Sequence, residues 1–286
     1  MKKPFLAILI LCLIGTGFIV YGHYYRYPLD SQFHAYTGDG NVDDVPQGYP
    51  FLRDPEDKFS LELYQKIRSL NDAVAAIKRN NPGADQEQLA KAVFKLVRKR
   101  FVHFMYPRHT YLTNPFLALF RSLVPHWTFD AMYLGDDLLR HTAGASCGQA
   151  AGVFIEIWRK LGGQARACQL PGHDIAEAKI NGRLWVVDPD LEAMGPYSVE
   201  EIRSNPVLVS KIYTHLQDPT DLKGLKEAFA HSDIRFFGFD GPPTTSPRIY
   251  RGQKLVNVLK FVFFPALAFF SYVIFNRLAR RHRNSP

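Results

Sequence analysis

Two apolar runs, one near each end, restrict this chain more than any other feature of its sequence. Phe5 to Tyr21 holds only apolar residues plus Gly15, Thr16 and Gly17, and it follows Lys2 and Lys3. Phe261 to Phe275 is similarly apolar, and it reaches back to Leu255 if Asn257 and Lys260 are tolerated inside it. About 20 apolar residues is the length that crosses a bilayer as a helix. Both flanks are therefore expected in the membrane, with Lys260 snorkelling to the interface, and only the middle is left to build a water-facing domain. The first run reads as an uncleaved signal anchor, because Tyr21, His23, Tyr24, Tyr25 and Arg26 crowd the place where a small-x-small cleavage site belongs. The alternative is a cleaved signal together with a C-terminal amphipathic segment lying in the membrane plane.

Charge fixes an orientation for this arrangement. Lys2 and Lys3 precede the first run, and Arg277, Arg280, Arg281 and Arg283 follow the second. The positive-inside rule then puts both termini in the cytoplasm and the middle outside, most simply in a bacterial periplasm with the spans in the inner membrane. These six residues, with Lys254 and Lys260, account for the whole formal charge of +8. Without those eight, the 27 remaining Lys and Arg equal the 27 Asp and Glu. A neutral middle argues against a nucleic-acid partner and leaves the lipid bilayer as the partner of the basic ends.

The middle opens with an irregular stretch rich in Pro, Gly and Asp, residues 28–55, read as a linker over the membrane surface. Its Asp39, Asn41, Asp43 and Asp44 do not have EF-hand spacing, and a solvated loop is expected there. Helical patterning begins near Ser60 with Leu61, Leu63, Ile67 and Leu70, and returns from Gln86 to Phe101 with Leu89, Val93, Leu96 and Val97. Lys91, Lys95, Arg98, Lys99 and Arg100 make a basic face on that second helix, expected to be solvated. A third helix is expected at Asp136 to Arg140. No H-E-x-x-H, Walker A or spaced Cys/His set occurs, so no metal or cofactor is implied.

The chemistry concentrates in "AGASCGQAAG", Ala143 to Gly152. Gly144 to Gly148 matches the G-x-S-x-G elbow of serine hydrolases, which needs a preceding strand in a parallel sheet. "DDLLRHTA" before it reads instead as helix and loop, and the segment after it reads as antiparallel hairpins. Ser146 to Gln149 also spells S-x-x-Q, a capping box. That reading makes Ser146 the cap and puts Cys147 at the first helical position. Unpaired N–H groups and the helix dipole favour an anion there, which helps a thiol far more than a hydroxyl. Ala150, Phe154, Trp158 and Leu161 form one face of the helix, and Gly162-Gly163 stops it.

Short strands are expected at 165–170, 173–180 and 183–188. Asn181-Gly182, between the last two, is the strongest two-residue hairpin signal. That turn pairs Ile180 with Arg183, so His173 falls opposite Asp190 and Ile175 opposite Asp188. His173, Glu177, Asp188 and Asp190 then project from one face, where a carboxylate can orient an imidazole as the base for a nucleophile. Register alone does not choose between Asp188 and Asp190.

These residues resemble a known family. The stretch from Ala145 to Asp190 looks like the core of the transglutaminase-like superfamily. The likeness comprises a Cys at a helix N-terminus, an L-G-x-x-A-R turn at Leu161 to Arg166, a His with Glu four residues on, and W-x-x-D-P at Trp185 to Pro189. With "AKAVFKLVRKRFVHF" and "DDLLR" upstream, it covers roughly residues 85–190. It implies an α+β, papain-like fold in which a helical lobe with the Cys at a helix N-terminus packs on a small antiparallel sheet. It also implies Cys147 as nucleophile, His173 as general base and acid, and Asp188 as the orienting acid; the W-x-x-D-P match selects Asp188 over Asp190. The chain departs from the family in Asp174, where many members are apolar or aromatic, and in the short spacing between Cys147 and His173.

The expected organisation is an anchor at 1–22, a linker at 23–58, a transglutaminase-like domain at 59–195, an extension at 196–253, a membrane helix at 254–276 and a basic tail at 277–286. The expected function is a membrane-anchored periplasmic thiol enzyme that transfers or hydrolyses acyl groups of a protein, peptide or envelope-polymer substrate. No cofactor is involved. The alternative is a non-catalytic scaffold within an inner-membrane assembly, which implies a membrane-protein partner and gives the 196–253 extension a role. Its boundaries are marked by a second capping box at Ser198 to Glu201 and the loop "FDGPPTTSPR". A Cys147–Cys168 disulfide would abolish the chemistry. Cys168 instead reads as a buried small apolar residue, Trp185 as core, and Arg166 and Glu177 as structural charges. Backbone N–H of Cys147 is the natural oxyanion donor, with Trp127 and Gln149 as side-chain candidates.

Overall fold

The Asn181-Gly182 turn organises the sheet as its sequence requires. Both residues have positive φ, 50° and 80°, which a two-residue type I′ hairpin demands and which Asn and Gly tolerate. The computed structural model describes residues 2–27, 59–103, 107–123, 131–216 and 218–283. The whole 28–55 stretch, including its acidic loop, and Trp127 lie outside the described residues. Strands β3 (Gln164–Leu170), β4 (His173–Ile180) and β5 (Arg183–Asp188) match the expected ones within a residue, and the expected Ile180–Arg183 register holds. Two strands were not legible in the sequence. β6 (Ala193–Gly195) and β7 (Arg235–Phe236) close the edges of an antiparallel sheet ordered β6-β5-β4-β3-β7.

Alternation along these strands divides the buried residues into two cores. Ala165, Ala167, Ala176, Ala178, Ile180 and Val187 face one side and join Phe154, Ile155, Ile157 and Trp158 of α7 (Cys147–Lys160). The row of alanines lets the helix lie close to the sheet. Helices α2 (Leu61–Lys66), α3 (Leu70–Asn80), α4 (Gln86–Arg100) and α6 (Gly135–His141) complete that layer, contributing Leu70, Ile77, Val93, Val97 and Leu138. Cys168, Leu170, Ile175 and Val186 face the other side. There they meet Val199, Ile202, Val209 and Phe229 from α8 (Val199–Ser204), α9 (Val207–Ile212) and α10 (Pro219–Ala230). The protein is thus α+β, with a helical layer on each face of one antiparallel sheet. Helix α7 is buried on nearly all sides, not along a single stripe.

Several local expectations are corrected. The helix near Ser60 is two helices, broken at Ile67 to Ser69, each capped by a serine side chain. Arg100 is not solvated: it is fully buried, and its guanidinium donates to the carbonyls of Ile67, Leu139 and Thr142. Arg98 pairs with Glu192. Gly144–Ala145 is a two-residue strand, β2, paired in parallel with β1 (Val102–His103), so the residues before Cys147 are not purely helix and loop.

The chain divides into two units, and those elements belong to the unit formed by residues 26–107 and 131–250. The other unit contains α1 (Lys2–Tyr24), α5 (Pro115–Leu123) and most of α11 (Pro247–Arg283). Among the described residues, two helices are long and apolar enough to cross a membrane, Phe5–Tyr24 and Pro247–Arg277. They run antiparallel side by side: Phe5 stacks on Phe275, Gly15 abuts the Phe264 ring, and His23 meets Phe261 edge-on. α11 starts seven residues before the expected span and continues through Pro265 without interruption. Lys260 does not snorkel outward. It is buried and donates to the Thr113 carbonyl at 3.4 Å, while Asn257 accepts from the Asn114 amide at 3.2 Å. The two polar residues that interrupt the apolar run are those that hold the 110–114 turn.

Candidate active site

Cys147 is the first residue of α7, as the S-x-x-Q pattern requires. One half of the capping box is clear: Gln149 Oε1 accepts from Ser146 N at 2.8 Å. The Ser146 hydroxyl is buried and has no hydrogen-bond partner among the described residues. A buried hydroxyl without a base is no nucleophile, which disposes of the G-x-S-x-G reading despite the short β2 strand. The Gln149 amide is also committed elsewhere, since its Nε2 donates to the Met132 carbonyl at 2.6 Å. It is therefore not available as an oxyanion donor, and Trp127 lies outside the described residues. The Cys147 N–H in the first helical turn is left as the candidate oxyanion donor, because first-turn amides have no acceptor within the helix.

His173 begins β4, directly after Gly172, whose φ of 75° makes the tight turn from β3. Strand parity puts its side chain on the α8–α10 face, opposite the layer that contains α7. The two meet because both α7 and β4 begin at the same end of the sheet: Gly148 lies so close to Asp174 that a Cβ there would stand 2.5 Å from the carboxylate. At this end the Cys147 sulfur, a His173 ring nitrogen and an Asp190 carboxylate oxygen lie within 4.8 Å of one another.

The choice between the two acids is resolved by where the ladder stops. Pairing of β4 with β5 runs only from Ile180–Arg183 to Ala176–Val187, so the expected His173–Asp190 and Ile175–Asp188 ladder pairs are not formed. After Asp188 the chain turns, with Leu191 N donating to Asp188 Oδ1 at 3.0 Å. Asp188 is left fully buried at the strand end, where its Oδ2 lies 2.7 Å from His173 Nε2. An Asp190 carboxylate oxygen lies within 4.8 Å of a ring nitrogen and of the Cys147 sulfur. With Nε2 on the carboxylate, Nδ1 is the ring nitrogen left to exchange a proton with the thiol.

Burial of Asp188 is compensated by three partners. Besides His173 and Leu191 N, the Tyr213 hydroxyl donates to Oδ2 at 2.9 Å. Burial and then the Asp188 charge hold the Tyr213 phenol well above its ordinary pKa, so it remains a neutral donor. Burial on its own would depress the imidazole of His173. The charge and hydrogen bond of Asp188, with smaller help from Cys147, overcome this and hold it well above the ordinary histidine range. Asp174 is raised by burial, against the hydrogen bond it accepts from Thr245 Oγ1 at 2.8 Å.

Sequence reasoning missed two contributors, both from the 196–253 extension. Tyr213 caps the C-terminal end of α9 and bonds a residue 25 positions earlier, with no strand register linking them. The 238–246 loop, read in the sequence only as the end of the extension, runs along α7. Arg159 donates to the Gly241 carbonyl, the Pro243 carbonyl faces Gly152, and Thr245 reaches Asp174. The residues read as structural behave so. Arg166 forms a two-point ion pair with the buried Glu177, at 2.6 and 2.8 Å, and Glu177 also accepts from Val199 N. All three cysteines are free, and Cys168 is buried in the second core. Comparison of the chain with protein-family models, with curated proteins and with solved structures finds no match, so the reading of this site rests on its own residues and geometry.

Proposed function

We propose that the protein is a membrane-anchored thiol enzyme of the transglutaminase-like class, with Cys147 as nucleophile, His173 as general acid and base, and Asp188 as the residue that orients the imidazole. The observation that carries this reading is the alignment of the three groups. A fully buried carboxylate with three hydrogen-bond partners fixes one side of the imidazole at 2.7 Å, and the other side meets a partly exposed thiol on a helix N-terminus. A structural cysteine has no need of such an arrangement, whereas an acyl-transfer nucleophile does.

In the proposed reaction the Cys147 thiolate attacks the acyl carbon of an amide or ester. The carbonyl oxygen takes up the displaced electron pair and is held by the Cys147 N–H. Collapse breaks the bond to the leaving amine or alkoxide, which takes its proton from His173 Nδ1 and leaves a thioester. Water or an amine then attacks the thioester, giving its proton back to His173 and releasing the thiol. A helix that carries the Cys at its N-terminus and packs on an antiparallel sheet supports reading the fold as the papain-like core of that class. The antiparallel terminal helices fit both termini on the cytoplasmic side, with the thiol site in the periplasm, where the substrate is a peptide, protein or envelope polymer.

Cys147→Ala is expected to abolish labelling by a thiol-directed activity probe and to remove amide or ester turnover, by at least about 10³-fold. Turnover that persists in this variant sinks the mechanism. A strain carrying Cys147→Ser that keeps the full phenotype, when deletion loses it, replaces the enzyme with a scaffold.

A further inference from the structure

The second acid beside the thiol has no part in that reaction, and it completes a different set of ligands. Cys147 Sγ, a His173 ring nitrogen and an Asp190 carboxylate oxygen lie within 4.8 Å of one another, and all three residues are partly exposed. We infer that these three side chains form a binding site for a divalent ion of the zinc class, which caps the thiol reversibly.

Three features of the chain favour such an ion. Thiolate, imidazole and carboxylate are the usual Zn²⁺ ligands, with bonds of roughly 2.0–2.3 Å, so ligand atoms in a tetrahedral site lie roughly 3.5 Å apart. Side-chain rotation closes the remaining gap. The second feature is charge: one thiolate and one carboxylate neutralise a dication, while a sulfur–nitrogen pair disfavours Mg²⁺ and Ca²⁺, which take oxygen. The third is the outer contact. His173 Nε2 is already bound to the buried Asp188, which fixes Nδ1 as the ligand atom and gives the carboxylate–histidine support that metal-bound imidazoles have. Three protein ligands leave the fourth position to water. Loading releases into solvent the one proton that the Cys147 sulfur and His173 Nδ1 share, leaves the Nε2 proton on Asp188, and blocks attack on an acyl carbon. This effect on turnover rests on the proposed thiol chemistry; the ion site itself does not.

The test uses the full chain in detergent and reads the rate of Cys147 alkylation against Zn²⁺ concentration, each variant normalised to its own zinc-free rate. Micromolar Zn²⁺ is expected to slow alkylation by about tenfold or more, reversibly on adding a chelator. Asp190→Asn is expected to raise the half-protecting concentration by about tenfold or more. Equal protection in both proteins, or none in the wild type, overturns the inference. Co²⁺ gives a second reading that needs no Asp190 variant: a thiolate-to-cobalt absorption band in the wild type that is missing in Cys147→Ser. Its absence from the wild type also overturns the site. If amide or ester turnover persists in Cys147→Ala while zinc still protects the thiol, the enzyme mechanism falls and the metal site stands. The converse pattern is active enzyme indifferent to zinc, and it removes only the metal site.

Discussion

The imidazole of His173 stands between the Asp188 carboxylate and the Cys147 sulfur, and its protonation has a consequence for stability as well as chemistry. Its pKa in the folded protein is held well above the ordinary value, against burial, by Asp188 and to a lesser degree by Cys147. A histidine raised in this way contributes stability in full below its unfolded pKa of about 6.5, and the contribution is lost as pH rises through the higher folded value. Melting temperature should therefore fall between pH 6.5 and mildly alkaline pH in the wild type. Asp188→Asn should lose most of that slope. It should also slow alkylation of Cys147 at pH 6 by about tenfold relative to its rate at pH 8, because the imidazolium that accompanies the thiolate loses its partner. A variant with the wild-type profile in both measurements removes Asp188 from the site. At this scale Cys147 and His173 were legible, because a helix start and a hairpin turn place residues by local rules; register left Asp188 and Asp190 open, and only the W-x-x-D-P resemblance selected Asp188. Tyr213 was not, because only the folding of α9 against the back of the sheet brings it to Asp188.

Elements matter here mainly through where they begin. α7 and β4 start at one end of the sheet, and the Gly148–Asp174 approach sets the gap between them. Gly148→Ala is expected to push the helix start away from His173. A shift on the order of 1 Å at a reacting pair costs up to about 10²-fold in rate, so turnover should fall by 10- to 100-fold while the far-ultraviolet circular dichroism stays unchanged. Wild-type turnover in this variant shows that the helix start tolerates a methyl group and that the gap is not set there. The capping box located α7 in the sequence, but the same pattern did not reveal that the helix is buried on almost every side. Nor did the basic stripe on α4 reveal that Arg100 points inward to three carbonyls. Periodicity reports which side chains are apolar; a buried guanidinium depends on carbonyls that belong to other elements.

For the whole molecule, the two apolar helices were the clearest feature of the sequence, but their mutual packing was not. Hydropathy gives length and, with the flanking lysines and arginines, orientation. It does not say that Gly15 admits the Phe264 ring or that Lys260 is taken up by the 110–114 turn. The antiparallel pairing makes a sharp prediction. Rings of Phe5 and Phe275 stand 4.8 Å apart, whereas Phe261 lies 14 residues earlier on the same helix, about 21 Å away along its axis. In membranes, a short bismaleimide should therefore join the cysteines of a Phe5→Cys, Phe275→Cys double variant within one chain. The same reagent should fail on Phe5→Cys with Phe261→Cys. Background from Cys12, which is buried beside neither position, is checked in Cys12→Ser. If both ends lie in the cytoplasm, an impermeant reagent added to intact cells should reach Cys147 but not a cysteine introduced at Arg280. Labelling of Arg280→Cys from outside inverts the topology and places the thiol site in the cytoplasm, with peptides of that compartment as its substrates.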